Sequence, residues 1–191
     1  MNKIALEDIM GLAAYEKVRE KFRQRIIELK KKRRVAVGDK VSLVFENRDT
    51  VIFQIQEMIR AEKITDLDKI REEIEVYSNL LPQPGELSAT LFLEIEDQIR
   101  LREELLKFLG IDEAVFLKVG NHSIHARFEE GRSKEDKISA VQYVRFAFVD
   151  HVLQAFLQGA KAEIVIDHPS YKLSVPLTAE TRQSLIQDLA A

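Results

Sequence analysis

Apolar residues at Ile9, Leu12, Tyr15, Val18, Phe22, Ile26 and Leu29 recur at intervals of three and four. That spacing lines them along one stripe and predicts a long amphipathic helix over about residues 6–32. The helix runs out in Lys30, Lys31, Lys32, Arg33 and Arg34, cations that complement the negative end of a helix. Alternation then replaces the helical period. Val35 to Phe45 reads as two short strands around Gly38-Asp39. Asp49 or Thr50 is placed to cap a helix from Val51 to about Glu62, and Thr65 and Asp68 frame another with Leu67, Ile70, Ile74, Tyr77 and Leu81 on one face. Pro82-Gln83-Pro84-Gly85 ends it, too short a run to link domains.

The second half is richer in strands. Leu87, Ala89, Leu91, Leu93 and Ile95 alternate with Ser88, Thr90, Phe92 and Glu94. Asp97 caps a helix that Gly110 ends. Val115–Val119 and Ile124–Phe128 form a hairpin around Gly120-Asn121. A charged loop from Glu129 to Lys137 leads to a strand from Ser139 to Phe148, then to a short helix between Asp150 and Gly159. Glu163–Ile166 and Tyr171–Leu177 form a last hairpin, and Thr178 opens a terminal helix. Hairpins outnumber strand–helix alternations. The pattern predicts one α+β domain over 1–191, a mostly antiparallel sheet of six to eight strands with about six flanking helices.

Composition narrows the chemistry. The 191 residues include no cysteine, which excludes disulfides, thiol catalysis and a thiolate-bound Fe–S cluster within this chain and leaves a divalent metal open as a cofactor. A cysteine-free chain with no stretch of about 20 apolar residues and no basic-then-apolar leader is expected in the cytoplasm, away from membranes. A net charge of −3 argues against duplex binding, and the Lys30–Arg34 run is read as solvated helix end, with Arg33 and Arg34 tied to acidic groups. Walker-type, dinucleotide, nucleophile-elbow and zincin motifs are all absent.

Two segments concentrate polar groups among apolar ones. In the first, Phe45-Glu46-Asn47-Arg48-Asp49-Thr50 runs into a helix bearing Gln56, Glu57, Arg60 and Glu62. The surrounding Val51, Ile52, Phe53, Ile55, Met58 and Ile59 predict burial, and buried charges need partners. Either Glu57 is a base or metal ligand with Arg60 holding an anion, or Glu57 and Arg60 form a structural pair. In the second, Asp167-His168-Pro169-Ser170-Tyr171, His168 is in phase with Ile164 and Ile166 and so points towards the core. It suits an oriented acid, base or metal ligand beside Asp167, or else a packed turn histidine. A site shared by the two segments, with Glu57 and His168 as metal ligands, is one expectation. His122 and His125, three apart in a strand, face opposite sides and read as surface histidines, as does His151 at a helix start.

Arg33–Gly38, Phe45–Thr50, Phe53–Glu62 and Asp167–Tyr171 together resemble an uncharacterised bacterial domain-of-unknown-function family of about this length. The resemblance implies a gene neighbourhood of rubrerythrin-like proteins and Fe–S oxidoreductases of the heterodisulfide-reductase type, and hence oxidative-stress physiology. It implies no reaction. Three readings follow: an accessory protein that binds such redox partners, with a homo-oligomer open; a metal- or anion-binding enzyme built on Glu46, Arg48, Gln56, Glu57, Arg60, Asp167, His168 and Tyr171; and nucleic-acid binding through Lys30–Arg34.

Overall fold

The computed structural model describes residues 3–97, 99–131, 133–134 and 137–189. The chain divides into two compact units, Met1–Lys32 with Glu46–Pro82 and Arg33–Phe45 with Gln83–Ala191.

The first unit is helical. A 3-10 turn at Leu6–Asp8 precedes α1 (Leu12–Arg33), followed by α2 (Arg48–Ala61) and α3 (Leu67–Ser78). α2 starts earlier than the sequence predicted because Asn47, rather than Asp49 or Thr50, is its cap. The Asn47 carboxamide accepts from the Thr50 N–H, and the Thr50 hydroxyl accepts from the Asn47 N–H. α2 buries Val51, Ile52, Ile55 and Ile59, and α3 buries Ile70 and Ile74. α1 does not follow this pattern. Of its 22 residues only Tyr15, Ile26 and Arg33 are buried, and Val18 on the predicted apolar stripe is 42% exposed.

The second unit contains two antiparallel sheets where one was expected. β1 (Arg34–Val37), β2 (Val41–Phe45), β3 (Glu86–Leu93), β9 (Val141–Ala147) and β6 (Arg127–Phe128) form the first, in the order β1-β2-β3-β9-β6. β11 (Tyr171–Pro176), β10 (Ala162–His168), β4 (Val115–Val119) and β5 (His122–His125) form the second, in that order. The chain changes sheets at Ala126: its N–H still bonds the Val115 carbonyl of β4, and the next two residues pair with β9. Inward residues of both sheets, including Leu43, Leu91, Phe146, Leu117 and Ile164, share one apolar core. Around the sheets stand α4 (Leu101–Leu106), α5 (Asp150–Leu157) and α6 (Ala179–Leu189). Within the expected charged loop a two-stranded ribbon forms from β7 (Ser133–Lys134) and β8 (Lys137–Ile138); Arg132, Glu135 and Asp136 lie outside the described residues.

The α+β class thus holds, with six α-helices among the described residues and every strand pairing antiparallel. Among the same residues no helix is long and apolar enough to cross a membrane.

Candidate functional site

In the helical unit, the polar residues of α2 are claimed by the N-terminal segment and α1. The Arg19 guanidinium donates through Nε and a terminal nitrogen to the two Glu57 carboxylate oxygens, each at 2.8 Å. The Tyr15 hydroxyl donates to the same carboxylate at 2.7 Å. This fork holds the Glu57 carboxyl below its ordinary pKa, against the opposing pull of partial burial, and Tyr15 adds to it. The Tyr15 phenol is pushed far up, first by its own burial and then by donating to an anion. Glu57 is 27% exposed, so it is half-buried rather than deep in the core. Arg60 does not join it. Its Nε donates to Glu16 at 2.5 Å.

The neighbouring candidates are also engaged in local structure. Gln56 is fully buried and mimics a peptide group: its Oε1 accepts from the Met10 N–H at 2.6 Å, and its Nε2 donates to the Met10 carbonyl at 3.1 Å. Arg48 pairs with Asp8 at 2.5 Å. The Asp8 carboxyl is lowered first by the Ala5 N–H and then by Arg48. Buried Glu46 accepts from the Thr50 hydroxyl at 2.5 Å.

In the β unit the second segment forms its own cluster. His168 is buried beneath the β10–β11 turn, in phase with Ile164 and Ile166 as expected. Its Nδ1 accepts from the Ser170 N–H at 3.2 Å, so Nε2 carries the proton and donates to the Leu109 carbonyl at 2.8 Å. Phe108 stacks on the ring. Both nitrogens are therefore occupied. Asp167 faces outward and pairs with Lys172 at 2.7 Å. Tyr171 reaches the β1–β2 turn, where its hydroxyl donates to the Val37 carbonyl at 2.7 Å and accepts from the Lys40 N–H at 3.1 Å. Gly38 is required there: its φ is +74°, and a Cβ would lie 2.3 Å from the Tyr171 oxygen. Burial raises the Tyr171 phenol above its ordinary pKa.

The candidates thus fall into two groups. Glu46, Arg48, Gln56, Glu57 and Arg60 have partners in the helical unit, and Asp167, His168 and Tyr171 in the β unit. Among the described residues no three His, Cys, Asp or Glu side chains are grouped to hold a metal.

Two further polar clusters have partners that the sequence did not identify, although an acidic partner for Arg33 was expected. Arg33 is 1% exposed; it donates to the Phe45 carbonyl, to Ser184 and to Asp188 of α6. Buried Glu86 at the start of β3 accepts from both Arg127 and Arg145. Their side-chain partners lie 41 to 155 residues away, beyond any periodicity. Among the histidines, the rings of His122 and His151 stand 74° from coplanar, their centroids 4.9 Å apart. They line an open cleft of about 470 Å³ together with His125, Ile124, Arg127 and Val149.

No curated protein matches the chain. A crystal structure described as a novel protein of unknown function from Burkholderia pseudomallei K96243 is similar throughout. It shares 34% identity and a TM-score of 0.92, over 98% of this chain and 99% of that one. A model of the family described as Protein of unknown function (DUF3501) matches residues 3–189, and the chain belongs to that family.

Proposed function

We propose that this chain is a non-enzymatic, cytoplasmic partner-binding protein of redox physiology, and that α1 is the surface by which it docks an acidic redox protein. The observation that carries this reading is the character of α1. Between Leu12 and Lys32 it has eight cations against three carboxylates in a chain of net charge −3. Its stripe leaves Val18 exposed and Leu12, Phe22 and Leu29 only half-covered. Exposed apolar positions rimmed by one sign of charge are how a protein surface selects an oppositely charged partner. The rival reading, a metal- or anion-binding enzyme on Glu46, Arg48, Glu57, Arg60, Asp167 and His168, has less support. A catalytic group must be offered to a substrate, and these groups are engaged by neighbouring side chains and backbone.

The gene neighbourhood implied by the resemblance supplies the partners to test, a rubrerythrin-like protein and a heterodisulfide-reductase-type Fe–S oxidoreductase. Each is titrated against the full chain by calorimetry at low and high salt. Binding that weakens with salt, and that falls about tenfold or more on Lys21→Glu/Arg23→Glu reversal, is the expected result. No binding to either protein at low salt, or binding indifferent to the reversal, would end this reading.

A further inference from the structure

Three of the chain's four histidines, His122, His125 and His151, line one cleft of the β unit. Two of them are positioned as a pair. His122 opens β5 directly after the two-residue Gly120-Asn121 turn and stands opposite Val119 in the β4–β5 register. Val119 and Leu117 point into the core, so His122 lies on the face of the hairpin that carries those core residues. His151 sits in the first turn of α5, next to buried Val152, which anchors that turn in the same core. His125 pairs with Phe116 and packs against its ring, so it belongs to the other face of the strand.

We infer that His122 and His151 form a two-imidazole site for a divalent transition metal ion late in the first-row series. Two imidazoles on one such ion, each bound at the usual 2.0–2.1 Å, place their ring centroids about 4.5 Å apart at a right angle and about 5.2 Å apart at a tetrahedral angle. The observed separation is 4.9 Å, with the rings 74° from coplanar. Both rings are exposed, so an ion has an open path. Both backbones are fixed by a register and a buried anchor, so little ordering is needed on binding. Among the described residues no carboxylate lines the cleft, and Arg127 at its edge is drawn to Glu86. The donor set is therefore nitrogen with water in the remaining positions, which favours Cu²⁺ over Zn²⁺ and both over Mn²⁺. This site is independent of the docking surface proposed for α1.

The test uses the full chain without a histidine tag. Cu²⁺ is titrated calorimetrically, and the bound ion is examined by electron paramagnetic resonance. One Cu²⁺ per chain with two imidazole nitrogens is expected for the unmutated protein, a readout that needs no variant. His122→Ala and His151→Ala are each expected to weaken binding about tenfold or more and to leave one nitrogen, whereas His125→Ala keeps both. Far-UV circular dichroism confirms that the variants fold. A single nitrogen in the unmutated chain, binding unchanged by His151→Ala, or a loss produced by His125→Ala alone would overturn the assignment.

Discussion

Glu57 accepts from two residues of α1, and its worth follows from that geometry. A half-buried carboxylate with a forked guanidinium and a phenol contributes more than a lone surface pair but less than a core one. Glu57→Gln should cost about 1–2 kcal/mol at neutral pH, read as a shift in urea midpoint. The pH dependence has a definite sign. The folded carboxyl is depressed, so its contribution is complete above the unfolded value of about 4.3 and is lost as pH falls through the folded one. The two proteins should therefore converge in stability below about pH 4, and a gap that stayed constant into acid would show that charge is not the cause. Arg33 is the stronger case. It is buried against Asp188, Ser184 and the Phe45 carbonyl, so Arg33→Ala leaves buried acceptors unpaired and should cost about 3–5 kcal/mol. A loss under about 1 kcal/mol would contradict the burial.

At the scale of elements, what the sequence revealed depended on how local each cause was. The turns at Gly38-Asp39, Gly120-Asn121 and Pro169-Ser170 were legible because turn residues and alternation act within a few positions. His168 was placed towards the core correctly for the same reason. The start of α2 was missed by three residues, since Asn47 and Thr50 cap each other reciprocally and the single-residue signals at Asp49 and Thr50 mimic a cap. Asn47→Ala should accordingly lower stability by about 1 kcal/mol, while Asn47→Asp retains most of it. The expected Glu57–Arg60 pair was not formed because α1, some forty residues earlier, supplies a better partner to each. The same contrast predicts dynamics. Amides in the exposed middle turns of α1 should exchange faster than those of α2 around Val51, Ile55 and Ile59 in a native-state hydrogen-exchange experiment. Equal protection in the two helices would mean that α1 is covered in solution.

For the molecule as a whole, the predicted α+β class was correct, because hairpin spacing and helical period each accumulate over many residues. That the strands form two sheets was not visible. The change of sheet rests on Ala126, a residue with no turn signature, whose N–H still bonds β4 while Arg127 already pairs with β9. The histidine pair was hidden for a similar reason. Alternation correctly separated His122 from His125 but could not bring in His151 from another element. Lacking cysteine, the chain should unfold at the same temperature with and without dithiothreitol. A difference would reveal a redox-active group bound to the protein.

The phenols described above also give the molecule an optical signature. With no tryptophan, four tyrosines, and ten phenylalanines that absorb only at shorter wavelengths, the long-wavelength end of the near-ultraviolet spectrum belongs to tyrosine. Tyr15 of the helical unit donates to a carboxylate, and Tyr171 of the β unit is held between backbone groups of a turn. Both ionise later than a free phenol, near pH 10. In an alkaline titration their phenolate absorbance should be withheld until the local structure around each gives way. A step in that absorbance then marks the release of a particular contact: Glu57 for one ring, and the Gly38 turn for the other.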